Sequence, residues 1–212
     1  VKIFINQNGV FYPSWYKGVD IISRNKELYA YNKISDLTLF QSDFAKKSYL
    51  KFVGRIPKNY HVLYNAVDTN SFYPIKKSAS NTNKVTILVA GNFYSFTEDY
   101  RVLNAIEAIK ILKNENYNVQ LIIAGNLRKD LIIKIKNQDL DYVNYVGAYE
   151  GFIANQIFNT AEVYLHLHYM GCCDNILLEM MACGLKIIAL NNGGNKELLP
   201  EKLVTFIPCR NN

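Results

Sequence analysis

Four apolar runs in the second half of the chain, residues 85–90, 119–124, 163–167 and 186–190, are rich in β-branched side chains and read as buried strands. Helical periodicity separates the first two, with Leu103, Ile106, Ile109 and Leu112 on one stripe, and a second helix is expected over residues 176–183. Strands alternating with helices predict an α/β fold built on a parallel sheet covered on both faces. Ligands of such sheets bind outside the carboxyl ends of the strands. Gly91 and Gly125 follow the first two runs, and Gly193 and Gly194 follow the last. A single glycine there is ordinary turn chemistry. Glycine at successive strand ends lets backbone N–H groups approach a ligand, and a helix start behind the turn favours an anion such as a diphosphate.

The first half is less regular. Residues 1–5 (VKIFI) and 37–40 (LTLF) read as short buried strands, with helical patterns near 26–34 and 43–52. The polar stretch IKKSASNTNK, residues 75–84, reads as a linker and divides the chain into residues 1–74 and 85–212.

Composition narrows the classes. Of 212 residues, 50% are hydrophobic and 20% charged, an ordinary globular balance that excludes a disordered chain. No apolar run approaches the roughly 18 to 20 residues needed to cross a bilayer, and the first residues lack the apolar core and small-residue cleavage site of a signal peptide. Cys172, Cys173, Cys183 and Cys209 form no disulfide framework. A soluble, cytoplasmic protein is expected, with scope for peripheral membrane association. A net charge of +6 favours anionic partners, but Lys and Arg do not cluster and no nucleic-acid module is present, so nucleic acid is not an expected partner.

The most informative segment runs from Tyr169 to Leu190, YMGCCDNILLEMMACGLKIIAL, followed by NNGGNKEL. Glu179 sits in the middle of a helix that is apolar nearly all round. An unpaired buried carboxylate is costly, so Glu179 needs either a Lys or Arg partner or a hydroxylated ligand such as a ribose.

The run NILLEMMACGLKIIALNNGGNKEL closely resembles the donor-binding motif of the family-four glycosyltransferases. LYNAVDTNSFYP (63–74) is similar to that family's domain junction, FQSDFAKKS (40–48) to the end of its first domain, and NQNGVFYPSWY to a segment of some members. The resemblance covers nearly the whole chain in the right order. It implies a GT-B fold: two Rossmann-like domains facing a cleft, the first incomplete in this chain, and terminal helices lacking after Asn212. It also implies sugar transfer from a nucleotide-sugar donor to a glycan, lipid or other acceptor, with retained anomeric configuration and neither metal nor cofactor.

By the same resemblance Glu179 matches the second acid of a pair, the one that binds the donor ribose. The first acid would stand eight residues earlier, at Gly171, so the carboxylate near the donor sugar is missing from its usual place. Some members carry Asp there followed by Cys-Pro-Asn; here Cys173, Asp174 and Asn175 match that tripeptide with Pro replaced. Asp174 or Asn175 would cap the helix, whose first N–H groups, at Ile176 and beyond, would face the donor. Many members hold the diphosphate with an Arg after the first glycine, where Asn92 stands after Gly91, so Arg101 becomes the candidate cation, the alternative being a solvated helix face. Gly194 completes the donor-binding set, and the resemblance identifies no catalytic residue.

Two rival readings remain. The departures at Gly171 and Asn92 fit a sugar-nucleotide-binding scaffold without catalysis. His166, His168, Cys172 and Cys173 offer a zinc ligand set, although adjacent cysteines rarely reach one tetrahedral ion.

Overall fold

A computed structural model describes residues 1–13, 20–76 and 83–209. Most of the expected linker, residues 77–82, therefore lies outside the described residues, as do Ser14, Trp15 and Tyr16. The chain forms two compact units, one of Val1–Ala66, Tyr169–Asp174 and Asn191–Pro200, the other of Val67–His168, Asn175–Leu190 and Glu201–Asn212.

The first unit runs β1 (Phe4–Gln7), α1 (Ile21–Ile34), β2 (Leu37–Phe40), α2 (Asp43–Val53) and β3 (Tyr60–Val62), and its three strands pair in parallel in the order β1-β2-β3. Phe40, Ala45, Tyr49 and Val10 form its core, with the Phe40 and Tyr49 rings edge-on at 5.4 Å. The buried residues of α1 are Asn25 and Asn32, so hydrophobic periodicity could not mark its start. Asn25 exchanges two hydrogen bonds with the Phe11 backbone, at 2.8 and 3.0 Å. Asn32 Nδ2 donates to Gln7 Oε1 at 2.8 Å, and Asn32 Oδ1 accepts from Thr38 Oγ1 at 2.7 Å, which ties α1 to both β1 and β2. Buried amides are tolerated here because their hydrogen bonds are made. Caps fix the helix starts: Asp20 accepts from the Ser23 amide, and Ser42 from the Ala45 amide, each at 3.0 Å.

The second unit runs β4 (Val85–Phe93), α3 (Asp99–Asn114), β5 (Val119–Leu127), α4 (Lys129–Lys136), β6 (Val143–Gly147), α5 (Gly151–Phe158), β7 (Val163–His166), α6 (Asn175–Ala182), β8 (Lys186–Leu190) and β9 (Val204–Ile207). The short helix α7 (Asn195–Leu198) falls between β8 and β9 and belongs to the first unit. All six strands are parallel, in the order β6-β5-β4-β7-β8-β9. The chain winds outward from β4 to β6, then returns to the other side of β4 at β7. The winding therefore reverses between β4 and β7, the switch point where open α/β sheets bind ligands.

The stripe on α3 packs as expected: Ile106 and Ile109 are buried, and Leu103 and Leu112 flank the same core as Val89, Leu121 and Ile123. Each such side chain contributes about 1.5 to 3 kcal/mol on burial. Tyr73 and Ile75 are pinned to α5, their amides donating to Asn155 Oδ1 at 3.2 Å and Asn159 Oδ1 at 2.7 Å.

One expectation needs correcting. Gly91 and Gly125 do not end the strands; β4 and β5 continue to Phe93 and Leu127, and the two glycines face each other in register. At Gly125, with φ of +126°, a Cβ would overlap the Gly91 carbonyl and lie 2.9 Å from its carbon. Close approach of two backbones, not a turn, is what requires glycine there.

Candidate functional site

At the carboxyl end of β4, Gly91 lies against Arg101, whose Nη2 would sit 3.1 Å from a Cβ at Gly91. Arg101 is only 7% exposed. Its Nη1 donates to Glu98 Oε2 at 3.1 Å, its Nη2 to the Ala90 carbonyl at 3.4 Å, and its guanidinium stacks 4.7 Å from the Phe93 ring centre. Arg101 is thus at the glycine where a phosphate grip was expected, but Glu98 already neutralises it. Asn92 is exposed, with Oδ1 accepting from the Tyr94 amide at 3.3 Å. At the end of β5, Arg128 forks onto Asp99 at 2.7 and 2.8 Å and stacks on Phe96, so this cation is also taken up within the unit.

Glu179 differs. It lies half-buried on α6 beside the fully buried Leu177 and Met180, and burial holds its carboxyl above the ordinary carboxylate range. No cation opposes that shift, and among the described residues none pairs with it. Tyr149, which the sequence reading passed over, stands just beyond β6 and packs edge-on to Phe158 at 5.3 Å. Burial raises its phenol, and the Glu179 charge adds to the rise while Arg101 opposes it. An aromatic residue directly past a strand's carboxyl end was the signal available. Tyr149 and Glu179 therefore offer a hydroxyl and a carboxylate in the same unit, a pairing suited to a polyol.

In the first unit the double glycine locks onto the loop that leaves β7. The Gly194 amide donates to the Gly171 carbonyl at 2.8 Å. A Cβ at Gly193 would come within 2.6 Å of that carbonyl oxygen, and one at Gly194 would overlap the Cys172 carbonyl. These two glycines are spent on backbone packing within the unit. Met170 holds a left-handed φ of +64° in the same loop. Asp174 is half-buried, and its carboxylate occupies the space into which a side chain at Gly171 would project. Asn175 and Ile176 open α6, the first exposed and the second half-buried.

Glu197, which carried no role in the sequence reading, accepts from the Asp43 and Phe44 amides, both at 2.7 Å, and from the Tyr64 hydroxyl at 3.1 Å. A carboxylate on two free amides at the start of α2 is a strong charged cap.

The zinc ligand set fares as follows. The Cys172 thiol is pushed up to about 12, first by burial and then by Asp174. Cys173 is also raised by burial, and its sulfur accepts from the Asn65 amide at 3.4 Å. Metal ligation needs thiolates, which these surroundings disfavour. His166 is fully buried with Nδ1 3.2 Å from the Tyr164 hydroxyl, and the His168 ring lies edge-on to it at 6.2 Å.

Residues 84–209 match the family model described as "Glycosyl transferases group 1". The gpi3 subunit of phosphatidylinositol N-acetylglucosaminyltransferase from Schizosaccharomyces pombe is 26% identical over 153 residues, 71% of this chain and 33% of that protein. The corresponding phosphatidylinositol N-acetylglucosaminyltransferase subunit of Arabidopsis thaliana is 25% identical over 195 residues, 90% of this chain and 42% of that protein. The chain thus spans less than half the length of these two relatives. Among solved structures, Anabaena HepE in complex with UDP and glucose superposes with a TM-score of 0.73 at 13% identity, over 98% of this chain and 58% of that one. A glycosyltransferase from Rickettsia africae superposes at 0.67 with 18% identity, over 92% of this chain and 55% of that one. The fold is that of GT-B proteins with Rossmann-like domains.

Proposed function

Since the chain belongs to the glycosyl transferases group 1, we propose that it is the donor-binding part of an enzyme that moves a sugar from a nucleotide-sugar to a glycan or lipid-linked acceptor. We propose further that transfer retains the anomeric configuration, needs no metal or cofactor, and takes place in the cytoplasm, at a membrane surface where the acceptor is a lipid. The division into residues 1–74 and 85–212 belongs to the same reading.

Glu179 carries the proposal. A half-buried carboxylate with no cation against it, on the helix that follows β7 at the switch point of the sheet, suits the paired hydroxyls of a ribose. Tyr149 adds a hydroxyl beside it. Two relatives bear names of N-acetylglucosaminyltransferase subunits, and one fold neighbour was solved with UDP and glucose, which supports UDP as the first nucleotide to try. A non-catalytic binding scaffold stays the rival, favoured by the neutralisation of Arg101 by Glu98.

A thermal-shift screen of UDP-, GDP- and ADP-sugars tests the reading. One class of donor should stabilise the fold selectively, by about 2.7 kcal/mol at a hundredfold excess over its dissociation constant. No shift with any of them at millimolar concentration would contradict it. Elemental analysis is expected to find no stoichiometric zinc, and one zinc per chain lost only on unfolding would revive the metal reading.

A further inference from the structure

The carboxylate missing at position 171 has been moved, not lost. We infer that Asp174 delivers its carboxylate into the place a side chain at Gly171 would fill, and that there it accepts hydrogen bonds from the hydroxyls of the donor's transferred sugar. The inference rests on the donor-binding reading above.

The geometry is specific. A Cβ built on Gly171 would overlap Asp174 Oδ2 and lie 2.9 Å from both Cγ and Oδ1. No left-handed φ requires glycine at this position, so its need for glycine comes from the carboxylate folded over it. Loop strain would be wasted unless the loop must hold one shape: the Gly194 amide bonds the Gly171 carbonyl at 2.8 Å, and Met170 is held at φ +64°. A non-glycine residue in that region costs of order 1 kcal/mol or more, and persists where the surroundings over-determine it.

The location follows from topology. Residues 167–174 connect β7 to α6, and β7 is the strand at which the winding of the sheet reverses. Loops at that point face the ligand in open α/β sheets. A carboxylate accepts hydrogen bonds only, so it suits sugar hydroxyls and repels phosphate. Asp174 is half-buried, leaving part of it open to a ligand, and its charge is close enough to help hold the Cys172 thiol protonated.

The test separates sugar from nucleotide. Calorimetric titrations of UDP and UDP-N-acetylglucosamine into the full-length protein would be compared for wild type, Asp174→Asn, Asp174→Gly and the transposed pair Gly171→Asp with Asp174→Gly. Wild type should bind the sugar nucleotide more tightly than UDP. Both single variants should lose that increment, a drop of about tenfold, while their affinity for UDP stays within about twofold. The transposed pair should recover most of it, since removing the Asp174 side chain frees the space above residue 171. An increment that survives Asp174→Gly, or an equal loss for UDP and UDP-N-acetylglucosamine, would overturn the inference and leave the donor-binding reading standing. No binding of either probe to wild type would overturn both.

Discussion

Two ionic side chains of the second unit, Arg101 and Glu179, meet burial in opposite ways. Arg101 is closed off by Glu98, the Ala90 carbonyl and the Phe93 ring. Glu179 has only desolvation acting on it. A buried charge whose counter-charge lies inside the fold maintains the fold, whereas one that lacks it is held at a cost that a ligand can offset. The difference separates scaffold from site more sharply than position along the strand ends does, because both residues lie where a donor was expected.

Breaking the scaffold side of this contrast should have the largest effect. Glu98 and Arg101 are 11% and 8% exposed in their side chains, so Glu98→Ala leaves a buried guanidinium without its acid. Denaturant unfolding should show a loss of roughly 3 to 5 kcal/mol. Replacing both residues by Leu and Met should recover much of it, and a single variant as stable as wild type would show the pair to be idle.

The charged cap in the first unit should matter less. Glu197→Ala removes the carboxylate from the Asp43 and Phe44 amides and should cost about 1 kcal/mol, read as a lower melting temperature. Glu197→Gln keeps one acceptor oxygen and should lie between the two.

The smallest effect sharpens the site side. The folded-state pKa of Glu179 is raised above its ordinary 4.5, so between those two values the folded form binds more protons than the unfolded one. Stability then falls as pH rises through that window and is level above it. Glu179→Gln removes the penalty. Its melting temperature relative to wild type should therefore climb from about pH 4 toward neutrality, the reverse of what loss of an ion pair would give.

How much of this could be read from sequence follows from burial. The central strands β4, β5, β7 and β8 were legible because they are apolar on both faces. The strands passed over, β3, β6 and β9, are all sheet edges with half-exposed residues and no continuous apolar run. Glu179 stood out as an acid among apolar neighbours on a helix, a purely local pattern. The partnership of Arg101 with Glu98 depends on a 3-10 turn over Phe96–Glu98 that periodicity does not mark. Glu197 and its two amides are 153 and 154 residues apart in sequence, beyond any motif. The placement of Asp174 over Gly171 is set by the path of a loop, which side-chain spacing does not specify.

The central claim is that Glu179 is kept unpaired for the ribose of a donor. Calorimetric titration of UDP into wild type and Glu179→Ala, with melting temperatures of both, addresses it directly. The ribose assignment predicts an affinity about tenfold to a hundredfold weaker in the variant, the loss of one or two charge-assisted hydrogen bonds, with a melting temperature no lower than that of wild type. Unchanged affinity together with a lowered melting temperature would contradict it and make Glu179 part of the scaffold.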